Sequence, residues 1–312
     1  MASTHPLLEA RVRAALERAV SDSLGRAWAI RSFANLDDRA SHPAGILYGD
    51  DFSVFAKLSV EQNGAELFRA ELGGLAVLRE RAEVATPTPV GEGLIFVNPG
   101  VLFVSEALTE RPPSERTPED WNSIGHTLAT IHRVQGGRFG LEGLNGFLGS
   151  FPQDNSPVSS SRWADFYVER RLLPFLGIAV DSGHLPMGVA RSIDAIVTRM
   201  PRLCGPEPAP TLLHGDAQQH NFVSTDEGAV VADVAPYFGN PELDLAVVDT
   251  YHPVPEAVFS AYREIAPIDS EFGERRELWR LYCYLAAVAV EGDSAFGRRM
   301  LSRLVKAVDR YS

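Results

Sequence analysis

The chain has 312 residues, long enough for two lobes or domains, and 45% of them are hydrophobic, enough to bury a substantial core. Lys and Arg number 29 against 41 Asp and Glu, a net charge of −12, and the absence of any basic block argues against a nucleic-acid or anionic-membrane surface. No apolar run suggests a signal peptide or a membrane span, and two cysteines, Cys204 and Cys283, in no metal or redox spacing fit a reducing cytoplasm.

From Pro6 to about Asp22, the residues Leu7, Leu8, Val12, Leu16 and Val20 recur at helical spacing and predict an amphipathic helix. The polar segment from Arg31 to Gly45, with Asn35, Asp37, Asp38, Ser41, His42 and Pro43, reads as a connecting loop. Ile46 to Tyr48 and Phe52 to Leu58, separated by Gly49, Asp50 and Asp51, predict two strands around a tight turn, with Lys57 at the end of the second. A helix follows from Ala65 to about Arg81, its stripe built from Leu67, Phe68, Leu72, Leu75 and Leu78. Glu71 falls inside that stripe. A carboxylate there needs a partner, since an unpaired buried charge costs several kcal/mol, and Lys57 is the candidate.

Pro87, Pro89 and Gly91 interrupt the chain, and Leu94 to Val97 with Val101 to Val104 predict a hairpin turned at Asn98, Pro99 and Gly100. Thr109 to Glu119, rich in Pro, Arg and Glu, reads as a linker that divides the chain into 1–108 and 109–312. Thr117, Pro118, Glu119 and Asp120 start a helix with a capping hydroxyl, a Pro in the first turn and acids at the positive end. Trp121, Ile124, Leu128 and Ile131 form its apolar face, and His132 reads as structural.

Beyond a Pro- and Gly-rich passage from Arg202 to Pro210 comes the run His214, Gly215, Asp216, Ala217, Gln218, Gln219, His220, Asn221. This is the H-x-D-x-x-x-x-N spacing that protein kinases carry in their catalytic loop. Twelve positions after Asn221, the apolar run Gly228 to Ala232 predicts a short buried strand that delivers Asp233. Phosphoryl transfer from ATP asks a protein for positioning and charge neutralisation: one carboxylate to meet the attacking hydroxyl, an amide and a second carboxylate to hold Mg2+. On that pattern Asp216 receives the proton, Asn221 and Asp233 hold the metal, and His214 fixes the loop. Two other readings of the same letters stay open. His214, Asp216 and His220 suit a hydrolytic metal centre, and a polar surface loop is the plainest alternative; neither explains an apolar strand leading to Asp233.

The continuation through Ala235, Tyr237, Gly239, Glu242, Asp244, Leu245 and Ala246 resembles the fructosamine kinase (ketosamine-3-kinase) family, relatives of the aminoglycoside phosphotransferases. Val234 and Asn240 stand where that family has Pro and His. The stretch from Phe147 to Gln153, and Trp163, Phe166, Tyr167, Arg170, Arg171 and Leu172, also resemble family segments. The resemblance spans roughly Phe55 to Tyr284. It implies an α+β, two-lobe protein-kinase-like fold, with a small antiparallel-sheet N-lobe and a larger, mostly helical C-lobe. The implied activity is ATP- and Mg2+-dependent phosphorylation of a hydroxyl on a small, sugar-like acceptor. Lys57 with Glu71 would fix the ATP phosphates, and the backbone at Glu106, Ala107 and Leu108 would meet adenine.

Three departures bear on this expectation. Ala217, Gln218, Gln219 and His220 replace the family's Leu, Trp, Ser and Gly, and Ala286 to Val290 replace aromatics. Arg31 to Gly45 holds no G-x-G-x-x-G; Ser41 and His42 are groups there that could contact phosphates, but a plain connecting loop is the preferred reading and no nucleotide contact is claimed from it. An antibiotic of the aminoglycoside type is the alternative acceptor, and a catalytically idle kinase-shaped binding protein the alternative function. After Ala246 the chain turns helical, with stripes over Pro255 to Ile265 and Arg275 to Glu291 and a further group at Leu301, Leu304 and Val305.

Overall fold

A computed structural model describes residues 5–149 and 151–311; Ser150, within the stretch that resembles a family segment, lies outside the described residues. Pro6–Leu8 form one 3-10 turn, and the first helix, α1, starts only at Ala10 and runs to Leu24. The predicted helix from Pro6 is therefore interrupted at Glu9, whose backbone is non-helical. Val12, Leu16 and Val20, four residues apart, are buried on one face of α1.

That face covers a five-stranded antiparallel sheet of β1 (Ser32–Asn35), β2 (Ala44–Tyr48), β3 (Ser53–Ser59), β4 (Pro89–Val97) and β5 (Gly100–Glu106), in the order β1-β2-β3-β5-β4. Strand alternation decides what each side carries. Val54, Ala56 and Leu58 of β3 pack with Leu102 and Val104 of β5 toward α1. The intervening Phe55 and Phe103 face the opposite side, and Lys57, in register with Phe103, shares it. On this second side lies α2 (Gly64–Ala82), whose buried Leu67, Phe68, Glu71, Leu75 and Leu78 follow the helical repeat. The hairpin turn at Asn98 and Pro99 lies where the sequence places it, with a cis bond between the two residues. The segment read as a plain loop from Arg31 to Gly45 contains β1 and a 3-10 turn at Asp37–Arg39. Phe33 and Ala34 alone are too short an apolar signal to announce a strand, and β1 forms because it pairs with β2.

The second lobe is built around helices. After the 109–119 passage, α3 (Pro118–His132) begins with a reciprocal capping box between Thr117 and Asp120. The hairpin of β6 (Gly146–Leu148) and β7 (Phe151–Gln153) precedes α4 (Trp163–Tyr167), which runs through a π-helical turn into α5 (Leu173–Asp181). Trp163, Phe166, Tyr167, Arg171 and Leu172 are buried core residues. Helix α6 (Met187–Leu203) is an element beyond those the sequence predicts, although Ala190, Ile193, Ile196 and Met200 make a regular buried stripe. The short β8 (Thr211–Leu212) pairs with β11 (Phe238–Gly239), and β9 (Phe222–Thr225) pairs with β10 (Gly228–Val231). Helix α7 (Pro241–Val247) starts before Ala246, capped by Asn240, whose Oδ1 accepts from Glu242 N at 2.9 Å. Then come α8 (Glu256–Ile265), α9 (Phe272–Glu291) and α10 (Ala295–Tyr311). Most of α9 is buried around its circumference from Leu278 to Val288, as a helix through the middle of a lobe must be. That span includes Ala286, Ala287 and Val288.

The 109–119 passage is tied down rather than loose. Arg111 bonds the Asp120 carboxylate at 2.7 Å, its backbone N–H donates to Ser224 O at 2.8 Å, and buried Arg116 donates to Phe222 O at 2.5 Å. One hydrophobic core runs from α2 through the helical lobe, and a second fills the space between α1 and the sheet. Among the described residues no helix is long and apolar enough to cross a membrane. Both cysteines are buried and unpaired.

Candidate active site

Four elements bring the predicted residues together. Lys57 comes from the α2-facing side of β3, Glu71 from the buried stripe of α2, Asp216 and Asn221 from the turn between β8 and β9, and Asp233 from the end of β10. Lys57 Nζ donates to both Glu71 oxygens at 2.9 and 2.8 Å, and to Asp233 Oδ1 at 2.5 Å. Asn221 Nδ2 donates to Asp216 O at 2.8 Å and Oδ2 at 3.1 Å, and reaches Asp233 O at 3.4 Å. All five side chains line one cleft of about 760 Å³. A narrower, more apolar recess opens from Lys57, Glu71, Asn221 and Asp233 toward Phe55, Phe103, Glu106, Leu108 and Val223. Glu106 and Leu108 therefore lie at the far end of that recess, where β5 leaves the sheet.

The turn that carries Asp216 is held by backbone geometry and by one buried acid. Gly215 has φ of +87°, and a Cβ there would stand 1.9 Å from Ala235 O, so only glycine fits. Asp244, on α7, accepts from His214 N at 2.6 Å and Gly215 N at 3.3 Å, and His132 Nε2 lies 3.1 Å from it. His132 Nδ1 is 2.8 Å from Tyr262 Oη, so α3, α7 and α8 all brace the loop through one buried chain of polar groups. In the sequence Asp244 stands out only as a match to the family and by its place two residues after Glu242 in an otherwise apolar helix. Asp233 has φ of +49°, unusual for a residue with a side chain, and such strain concentrates at functional positions.

Electrostatics separate the three carboxylates. Burial raises Asp216 to about 6, helped by the charge of Asp233 and opposed by the amides of Gln218 and Asn221. Burial also raises Glu71, to about 7, because the single ammonium it shares with Asp233 only partly compensates. Asp233, half open to the cleft, is lowered: burial opposes ionisation, and the Lys57 ammonium overrides it. Burial alone would lower Lys57, but Asp233 and Glu71 carry it above its usual value. The site thus keeps an ionised acid at Asp233 and a fixed cation at Lys57, facing an acid poised near neutrality at Asp216.

The donor set fits a magnesium nucleotide. Asp233 offers carboxylate oxygens to the cleft, and Asn221, whose Nδ2 is engaged with Asp216, is left with its Oδ1 for a cation. One carboxylate and one amide oxygen suit Mg2+, which completes its shell with phosphates and water rather than with a protein cage. Among the described residues no group of three or more His, Cys, Asp or Glu is placed to hold a metal, so His214, Asp216 and His220 do not form the hydrolytic centre considered above. His214 is fully buried and away from the cleft, its Nδ1 accepting from Asp216 N at 3.3 Å.

The family model for fructosamine kinase matches residues 12–310. The chain belongs to the fructosamine kinase family. A Thermus thermophilus protein named as a ketoamine kinase is 30% identical over 269 residues, covering 83% of this chain and 92% of the relative. A Synechocystis ketoamine kinase by name is 27% identical over 267 residues, covering 84% and 86%. A solved Thermobifida fusca structure titled as a fructosamine-3-kinase superposes with a TM-score of 0.76 at 28% identity, covering 95% of this chain and 98% of that one. An aminoglycoside phosphotransferase bound to ADP and hygromycin B shares the fold, with a TM-score of 0.61 at 14% identity and coverage of 95% and 98%. The protein is accordingly an ATP-dependent small-molecule kinase with the two-lobe, protein-kinase-like fold.

Within this fructosamine kinase family member, two of the departures noted in the sequence, at 217–220 and at 286–290, fall in different places. Gln218 faces the cleft, and its Nε2 donates to Asp216 Oδ1 at 2.8 Å, so it orients the acid beside which the family carries Trp. His220 and His252 pack ring against ring, centroids 4.5 Å apart, on the same side. Ala286, Ala287 and Val288 are core residues of α9 and do not border the cleft.

The buried imidazole of His214 makes fold stability sensitive to pH. Its value is pushed down to about 4, by burial first, with Asp244 and Asp233 opposing. An unfolded histidine titrates near ~6.5, so between about 6.5 and 4 the unfolded chain binds the proton that the native state refuses. Its contribution is whole above roughly pH 6.5 and is lost as pH falls, by about 1.4 kcal/mol per unit. Urea unfolding of His214→Asn is expected to lose about 2 kcal/mol less than the unaltered protein between pH 7 and 5. Equal declines would show that the proton is taken up elsewhere.

Proposed function

We propose that this protein transfers the γ-phosphoryl group of ATP, with Mg2+, to a hydroxyl of a small sugar-like acceptor of the ketosamine type. The observation that carries the reading is the convergence of Lys57, Asp216, Asn221 and Asp233 on one cleft, although Lys57 and Asp233 lie 176 positions apart in the chain. Asp216 accepts or orients the proton of the attacking hydroxyl. Asn221 and Asp233 would hold Mg2+, which would supply neutralisation of the charge on the transferring phosphoryl group. Lys57, braced by Glu71, binds the phosphates, and the backbone at Glu106 and Leu108 receives adenine at the end of the apolar recess. In this reading 1–108 forms the nucleotide lobe and 109–312 the lobe that carries the catalytic loop and the acceptor pocket. The buried, unpaired thiols suit a cytoplasmic enzyme.

A ketosamine-type acceptor is supported by the names of the full-length relatives in Thermus thermophilus and Synechocystis. The likeness to the aminoglycoside enzyme, at 14% identity, speaks for the fold and does not extend to an antibiotic acceptor. The test is incubation with ATP, Mg2+ and a panel of ketosamines, free sugars, amino alcohols and aminoglycosides, read by the mass gain of one phosphoryl group. Ketosamines are expected to gain it, and removal of divalent cations by EDTA is expected to stop the reaction. Phosphorylation confined to aminoglycosides, or undiminished without divalent metal, would overturn the assignment.

A further inference from the structure

The loop between β1 and β2 stands where kinases place a glycine-rich cover over the phosphates, yet it holds no glycine between Leu36 and Ala44. Its base is closed by Asp37, whose Oδ1 accepts from Ala44 N at 2.9 Å and meets His5 Nε2 at 3.0 Å, and by Leu36 N donating to Ala44 O at 3.0 Å. Pro43 O accepts from Leu58 N at 2.9 Å, which ties the far end to the strand of Lys57. So anchored, the tip from Asp38 to His42 overhangs the cleft that Lys57, Asp216 and Asp233 line. A loop read from sequence as a plain connection is thus part of the site.

His42 is the residue that this arrangement leaves unexplained. It is 7% exposed, and its ring meets Phe68 edge-on at 5.7 Å between centroids, against the same phenyl ring over which Lys57 Nζ lies at 5.8 Å. Its Nδ1 is 3.0 Å from Ser41 Oγ, while its Nε2 is buried without a hydrogen-bond partner among the described residues. Burial lowers its proton affinity, with Lys57 adding to the effect and Glu61 and Asp233 opposing it, which favours the neutral ring. In the tautomer in which Ser41 donates to Nδ1, the one ring proton sits on Nε2. A buried donor without an acceptor is costly, and the cost is recovered when an acceptor arrives.

We propose that His42 is a phosphate-binding residue, whose Nε2–H donates to a phosphate oxygen of the nucleotide held by Lys57 and so supplies the contact that backbone amides of a glycine-rich loop make in other kinases. This rests on the reading of the cleft as the ATP site. It assigns to one side chain a task that glycine backbones perform by close approach, and it accounts for a loop that has no glycine to bring a backbone near.

Calorimetric titration of ATP, ADP and adenosine, each with Mg2+, into the unaltered protein, His42→Ala and His42→Gln tests it. His42→Ala is expected to weaken ATP and ADP by about tenfold or more, the size of one hydrogen bond to a charged group, and to leave adenosine unchanged. His42→Gln, which returns an N–H donor, is expected to recover most of the loss. Should His42→Ala fail to fold, His42→Phe keeps a ring against Phe68 without a donor and is measured in its place. Equal ATP affinity in the unaltered and donor-less proteins would overturn the inference alone, as would an equal loss for adenosine, which would mark His42 as packing. Absence of ATP binding by the unaltered protein would instead overturn the reading of the cleft, and this inference with it.

Discussion

Asp216→Asn is expected to lower kcat by about 10²- to 10⁴-fold, the range for removing a positioned proton acceptor, while ATP affinity changes by less than about threefold. The asymmetry follows from where the residue sits. Asp216 touches Asn221, Gln218 and the backbone of its own loop, and has no bond to Lys57, which faces Glu71 and Asp233. An amide keeps the shape and its one oxygen can still accept from one of the two side-chain amides, but it cannot take a proton. The pH dependence carries a second, independent reading of the same group. With the carboxyl pushed up to about 6 by burial first and then by Asp233, the ionised fraction falls below that pH. With ATP as the varied substrate, kcat/KM is therefore expected to fall about tenfold per pH unit on the acid side of roughly 6, and Asp216→Asn to lose that limb. Steady-state kinetics with a phosphorylated-product readout decides it. A variant that keeps more than about a tenth of kcat would remove Asp216 from the proton path.

The largest expected loss of stability lies away from the cleft, at Arg275. Its Nε donates to Glu242 Oε2 at 2.9 Å and its Nη2 to Oε1 at 2.6 Å, a two-pronged pair to which Trp279 Nε1 adds a third donor at 2.8 Å. Both charged residues are buried, at 5% and 7% exposure. Arg275 has further acids in Asp269 and Glu271, but among the described residues Glu242 bonds no other cation, only the indole. Arg275→Leu consequently strands a carboxylate in the core, and removing one member of a buried pair costs about 3–5 kcal/mol. Tm is expected to fall by roughly 10 °C. The double change Glu242→Leu with Arg275→Leu removes both charges and is expected to be more stable than Arg275→Leu alone, by about 1 kcal/mol or more. Thermal and urea unfolding of the three variants measures it; a double variant as weak as the sum of the singles would mean that the two residues act separately. Since Glu242 and Asp244 share α7, this anchor also sets the acid that clamps His214 and Gly215.

Local chemistry was legible wherever a residue's task is written in its own neighbours. The capping box of Thr117 and Asp120, the stripe of Leu67, Phe68, Glu71, Leu75 and Leu78, and the turn at Asn98 and Pro99 are set by spacings of four residues or fewer. Elements whose existence depends on a distant partner were not. Strand β1 has two apolar residues and is a strand because β2 accepts its edge, and α7 starts at Pro241 because Asn240 caps it and Arg275, on α9, receives Glu242. The overhang of the β1–β2 loop is likewise invisible in its polar letters, because its reach over the cleft is fixed by Asp37 closing on Ala44 and by Pro43 meeting β3.

The order of residues by itself identified the family and the kinase-like fold, and marked Asp216, Asn221 and Asp233 as candidates, since they stand at the intervals that two acids and an amide serving phosphoryl transfer would occupy. The tertiary structure alone decided which of those groups is charged and what holds it. Lys57 stands between Glu71 and Asp233 because strand alternation and the α2 stripe happen to meet there, and Asp216 is raised because packing excludes water from it. Distances between segments far apart in the chain, and the dielectric between them, are properties of the packed lobe rather than of any window of letters.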